Sequence, residues 1–214
     1  MNDSASLPVI DYYLSLISPY AYLGHAPVLA LARESGARLA YKPVRIFELF
    51  SANGGLPLGQ RAPARQRYRL VELQRARAQR GVPLKLRPKF FPVDPSLADR
   101  CAIALCEAGR DPSSYMDAAF RAIWAQDQDL ADRALLERLL RDDGHDADAI
   151  FAAADSAQVG AIYEANTAAA IAADLPGLPG YVLHGEPFWG QDRVEALREA
   201  VLSGRDPFAP DANI

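Results

Sequence analysis

Val9-Ile10-Asp11-Tyr12-Tyr13-Leu14-Ser15-Leu16-Ile17-Ser18-Pro19-Tyr20-Ala21-Tyr22-Leu23 is the stretch from which the rest of the chain is best read. Val9 to Leu16 is dense in aromatic and branched side chains, the composition of a buried strand. Ser18-Pro19 then supplies a helix start: the serine oxygen accepts from a free backbone amide, and the fixed φ of proline suits the first turn. The helix is expected to run to Ser35 with Gly36 as its stop, and Pro27, which has no N–H to donate, predicts a kink or a break inside it. Arg38 to Val44 follows as a second strand, with Pro43 indicating a sheet edge or a strand end. A strand passing directly into a helix leaves unpaired amides and the positive end of the helix dipole at Ser18, which favours an anion such as a thiolate. On this segment alone Ser18 is read first as an N-cap, and as a donor to such an anion second.

Beyond the second strand the texture becomes helical, from Ile46 to about Ala173. Helices are expected at Tyr68 to Arg80, Leu97 to Ala108, Ser113 to Ala125, Ala134 to Arg141, Ala147 to Ala154 and Val159 to Ala173, with Asp111-Pro112 and Asp132 as starts. Met116, Phe120, Ile123 and Trp124 share one helical face and read as core. Strands return at Tyr181 to Leu183 and Phe188-Trp189, joined by a turn at His184 to Pro187, and Gln191 to Leu202 reads as an amphipathic helix. The order is β-α-β, a helical block, then β-β-α. We therefore expect an α/β sheet domain made of 1–45 and 174–214, interrupted by an all-helical insertion at 46–173.

Composition narrows the function. The chain has 214 residues, half of them hydrophobic, a formal charge of -4 and a pI near 5.4. That supports a substantial core and argues against a dedicated nucleic-acid binder. Met1 to Pro8 has no signal-peptide pattern, and no apolar run is long enough to span a bilayer, so a cytoplasmic protein without membrane partners is expected. Cys101 and Cys106 stand five apart in a helical stretch, where their side chains diverge, and they read as small buried hydrophobes. His25, His145 and His184 lack ligand spacing, so no metal site is expected. His25, shortly after Ser18, is near enough to approach the same region but reads as an ordinary core or surface residue.

Three further stretches carry potential chemistry. Gly177-Leu178-Pro179-Gly180 precedes a strand; it is either a plain turn or a cis-proline loop that offers backbone groups to an extended peptide ligand. Phe188-Trp189-Gly190-Gln191-Asp192-Arg193 is a second strand-to-helix junction, where Asp192 either complements the helix dipole or holds an α-amino group. Between Arg61 and Lys89 there are ten Lys or Arg and one acid, Glu72. Such a run is usually a solvated face, from which one or two side chains turn into a site to hold a carboxylate.

The strand with Ser18-Pro19-Tyr20-Ala21-Tyr22-Leu23, Phe120-Arg121-Ala122-Ile123-Trp124, Asn166-Thr167, Leu178-Pro179 and Phe188 to Arg193 together resemble the 2-hydroxychromene-2-carboxylate isomerase family, kin of kappa-class glutathione transferases. The likeness extends over nearly the whole chain. It implies a thioredoxin-like fold with a large helical insertion, in which Ser18-Pro19-Tyr20-Ala21 stands where redox relatives carry Cys-Pro-x-Cys. Dithiol exchange at that motif is then excluded, because it needs a protein thiolate. Glutathione is the implied cofactor, with Ser18 hydrogen-bonding and activating its thiol, Leu178 before the cis proline pairing with its backbone, Asp192 near its γ-glutamyl end, and Pro179, Arg193 and Asn53 as further contacts.

Tyr20, Arg65 and Trp189 are the implied substrate contacts, Arg65 standing where relatives show lysine. The implied reaction on an aromatic 2-hydroxychromene-type carboxylate is reversible thiolate addition, ring opening, rotation and return of glutathione, and a homodimer is expected. Ser15 replaces an acid common in the family's first strand, and Gly180 a hydroxyl residue after the proline, which bears on the substrate. Two other functions keep the same fold: a kappa-like transferase that consumes glutathione, and a non-catalytic thioredoxin-like binding module.

Overall fold

The computed structural model describes residues 7–210, and its architecture is the expected mixture of a small sheet and many helices. Four strands lie in the order β2-β1-β3-β4. β1 (Val9–Leu14) pairs in parallel with β2 (Arg38–Pro43) and antiparallel with β3 (Gly180–Leu183), which pairs antiparallel with β4 (Glu186–Trp189). β1 is thus an inner strand, and Tyr12, Leu14 and Ile10 on it are fully buried. β2 is an edge, as Pro43 suggested.

The β3–β4 turn is tighter than expected. His184 and Gly185 both take positive φ, 51° and 89°, which allows a two-residue hairpin whose twist matches the strands. Helix α1 (Pro19–Ser35) opens on Ser18, whose Oγ accepts from the Ala21 N–H at 3.2 Å, and stops at Gly36 with φ 72°. Pro27 does not break it; the helix continues through the proline while Val28, His25 and Leu31 pack into the core. β1 ends at Leu14, two residues before the expected Leu16, because Ser15 and Leu16 turn away from the ladder to a buried carboxylate described below.

The helices between β2 and β3 are α2 (Ile46–Ala52), α3 (Pro63–Arg80), α4 (Ser96–Glu107), α5 (Ser113–Trp124), α6 (Arg133–Asp142), α7 (Ala147–Ala154) and α8 (Ala157–Ala172). α2 was not foreseen, and α3 starts at Pro63 instead of Tyr68, since its first turn is polar and carries no apolar period. Asp132, Asp146 and Ser156 cap α6, α7 and α8 through their side chains. Met116, Phe120, Ile123 and Trp124 all lie at 0% exposure, so the aromatic face of α5 is core. A 3-10 turn (Gln191–Arg193) precedes α9 (Val194–Ser203), which returns against α1 and the β3–β4 hairpin. No described helix is long and apolar enough to cross a membrane.

Candidate functional site

The junction of β1 and α1 faces the loop that enters β3. Ser18, 4% exposed, uses its Oγ as the cap of α1, and its proton points to the Leu178 carbonyl at a long 3.5 Å. The Leu178–Pro179 bond is cis. Among the described residues the Leu178 N–H has no acceptor, whereas the neighbouring Pro179 carbonyl is taken by the Gly190 N–H at 2.9 Å. A backbone donor and a lightly engaged hydroxyl therefore stand side by side at a helix N-terminus.

A cavity of about 520 Å³ opens over this pair. Ile17, Ile46, Phe50, Leu58 and Phe91 make its walls apolar. Two guanidinium groups line it nonetheless. Arg61 donates through Nε to the Leu56 carbonyl at 2.7 Å and lies 5.5 Å from the Phe50 ring centre; half-buried Arg69 lies 5.5 Å from the Phe91 ring centre. Neither has a carboxylate partner among the described residues, and burial pulls the Arg69 pKa below its ordinary value, with Arg61 acting in the same direction. A desolvated cation without a counterion is a place for an anion.

A second, more polar cleft of about 780 Å³ adjoins the first and shares Tyr20, Arg61, Arg69 and Trp189 with it. Arg65, Glu72, Arg75, Asp192 and Arg193 line it. Asp192 and Arg193 form an exposed ion pair at 3.0 Å on the turn after β4. That turn is held from α3: Arg80 donates through Nε to the Gln191 side chain at 3.0 Å and through Nη2 to its carbonyl at 2.8 Å. Gly190 is required there because its φ of 115° is a backbone conformation that residues with a Cβ rarely adopt.

The residues expected from the sequence are thus divided. Ser18, Tyr20, Leu178 and Trp189 line the apolar cavity, with Tyr20 and Trp189 on the shared wall. Arg65, exposed in the first turn of α3, lines only the polar cleft with Asp192 and Arg193. Asn53 lines neither: it ends α2, and its amide donates to the Leu175 carbonyl at 2.9 Å, bracing the loop before Leu178. Pro179 is buried behind the lining. His25 is 1% exposed in the core, its Nε2 3.1 Å from the Ser113 carbonyl, and burial lowers its pKa. Burial pushes the Cys101 and Cys106 thiols up to about 12 and about 11, away from redox work. Arg61 and Arg69 belong to the basic run expected to send one or two side chains into a site, but the sequence does not single them out, although they flank Arg65 at four residues on either side.

The family model of the DSBA-like thioredoxin domain matches residues 9–202. A protein of Sphingobium xenophagum named 2-hydroxychromene-2-carboxylate isomerase is 29% identical over 195 residues, covering 90% of this chain and 97% of its own. A solved 2-hydroxychromene-2-carboxylate isomerase superposes with a TM-score of 0.75 at 26% identity, covering 91% of this chain and 95% of that one. The cytosolic disulfide reductase DsbM of Pseudomonas aeruginosa, solved with GSH, shares the fold at a TM-score of 0.65 and 18% identity, covering 91% and 99% of the two chains.

Proposed function

The chain belongs to the DSBA-like thioredoxin domain family, and we propose that within it this protein is a glutathione-dependent isomerase of an aromatic carboxylate of the 2-hydroxychromene-2-carboxylate type. The observation that carries the reading is the cavity itself: apolar walls, Ser18 and a free Leu178 N–H at its base, and two guanidinium groups without counterions on its side. The names of the relatives at 26 to 29% identity point the same way.

The residues fit glutathione. Leu178 offers a backbone donor to an extended peptide, and the polar cleft beyond Trp189 carries Asp192 for an ammonium and Arg193 for a carboxylate. When bound, glutathione supplies a thiolate that adds to the substrate and leaves unchanged. Ser18 donates its loosely held proton to the sulfur, and the α1 amides add positive potential, so both favour the ionised thiol. Arg69 and Arg61 hold the substrate carboxylate, while Phe50, Phe91 and Ile46 exclude water from the aromatic ring. Tyr20 and Trp189 form the boundary between the two ligands.

Titration with reduced glutathione under thermal unfolding tests the first half of the reading. Stabilisation of about 2.7 kcal/mol is expected at a hundredfold excess over the dissociation constant. No stabilisation at millimolar glutathione contradicts it. Product analysis tests the second half: isomerisation leaves the glutathione pool intact, and conjugation depletes it.

A further inference from the structure

Beneath the turn that carries Ser18 lies a carboxylate that the chemistry above does not use. Asp99, in the first turn of α4, is fully buried. Its Oδ1 accepts the Leu16 N–H at 2.8 Å, and its Oδ2 accepts the hydroxyls of Ser15 at 2.8 Å and Tyr163 at 2.9 Å. Ser15 in turn gives its carbonyl to the Ser18 N–H at 2.9 Å. The carboxylate is therefore bonded to the two residues that set the entry of the chain into α1, and it reaches them across more than eighty positions of sequence.

Few charges surround it. Asp94 acts on it from the loop before α4, and Tyr115 of α5 donates to the Ala98 carbonyl next to it. Arg45 lies across the Tyr163 ring, 5.3 Å from its centre, and Arg100, the next residue of α4, turns outward to Asp155 at 3.2 Å. No Lys or Arg among the described residues pairs with Asp99.

We propose that Asp99 is the positioning residue of the Ser18 site: it holds the Ser15–Ser18 turn, and its charge sets how readily a thiolate forms at the start of α1. A buried carboxylate without a cation resists ionisation, and burial pushes its pKa up to about 7 even though three donors oppose that rise. Its charge therefore changes in the neutral range. Ser15, Leu16, Ile17 and Ser18, the residues between the carboxylate and the start of α1, are all buried, so little water screens the two sites from each other. An ionised Asp99 opposes a thiolate above Ser18, a neutral Asp99 permits it, and the two titrate as a coupled pair. The positioning half stands on geometry alone; the catalytic consequence rests on the glutathione reading.

A reporter thiol tests this without glutathione. In Ser18→Cys the new thiol sits at the start of α1, while Cys101 and Cys106 titrate only at about 12 and about 11. Thiolate absorbance is followed against pH in S18C, in S18C with Asp99→Asn, and in S18C with Tyr163→Phe. Asparagine keeps an acceptor for Leu16 and removes the charge, so the midpoint should fall by on the order of one pH unit. Tyr163→Phe, at a residue that lines neither cleft, removes one donor from the ionised form and should shift the midpoint the same way by less; it also serves if the asparagine variant does not fold. Coincident midpoints in folded variants, or a rise, overturn the proposal. The same comparison is made with glutathione bound to Asp99→Asn and to the wild type. If the wild type binds no glutathione, the proposed function falls, and the reporter cysteine still decides Asp99.

Discussion

Ser18 combines two tasks that substitution can separate. As N-cap it satisfies the Ala21 amide, and as donor it faces the cavity. Ser18→Ala should cost about 1 kcal/mol of stability by urea unfolding, whereas Ser18→Gly should cost only a few tenths. Both should raise the pKa of bound glutathione alike, because both remove the hydroxyl; a rise in the alanine variant alone would make the effect one of helix structure. The arginines separate in the same way. Arg69 lines both clefts and lacks a counterion, so Arg69→Met should lower kcat/KM for the carboxylate substrate by about one to two orders of magnitude. Arg65→Met, at an exposed site in the polar cleft, should change it less than about threefold and in a salt-sensitive manner. Steady-state kinetics of the two variants decide between them. In the sequence the Arg61 to Lys89 run disclosed a basic face, but which of its arginines turns inward depends on packing against Phe50 and Phe91. Local pattern does not contain that information.

At the scale of elements, β1 and α1 were legible because both signals are local: a run of branched and aromatic residues, then a serine cap, then Gly36. The early end of β1 was not, because its cause is Asp99 on α4. That carboxylate also predicts a pH dependence of stability. Its folded pKa, about 7, lies above the ordinary carboxylate value of the unfolded chain, so between the two the folded state holds a proton that the unfolded state has lost. Its contribution to stability is complete below about pH 4 and is lost as pH rises to about 7. Denaturant unfolding of wild type and Asp99→Asn across that range should therefore show the wild type losing stability relative to the variant as pH increases. A difference that is constant with pH would mean that Asp99 stays ionised throughout. α2, the other element that escaped the sequence, is a seven-residue helix whose exposed Phe47 obscures its period.

Across the whole molecule, the site gathers at one end of the sheet, where the start of α1, the loop into β3 and the turn after β4 meet. Those three segments were each singled out by their own turn and cap residues, so this half of the site was readable along the chain. The other half, the wall made by α2, α3 and the loop at Phe91, comes from the helices between β2 and β3, and only the fold brings it over Ser18. In the proposed chemistry glutathione would lie on the strand-end segments and the α3 face of the polar cleft, and the aromatic acid under the apolar wall of the cavity. The most direct test of that account is turnover of 2-hydroxychromene-2-carboxylate by the purified protein with and without reduced glutathione, with total free thiol measured before and after. Conversion to the ring-opened trans isomer is expected only when glutathione is present, at an unchanged thiol total. Equal conversion without glutathione, or loss of one thiol for each substrate consumed, would contradict it.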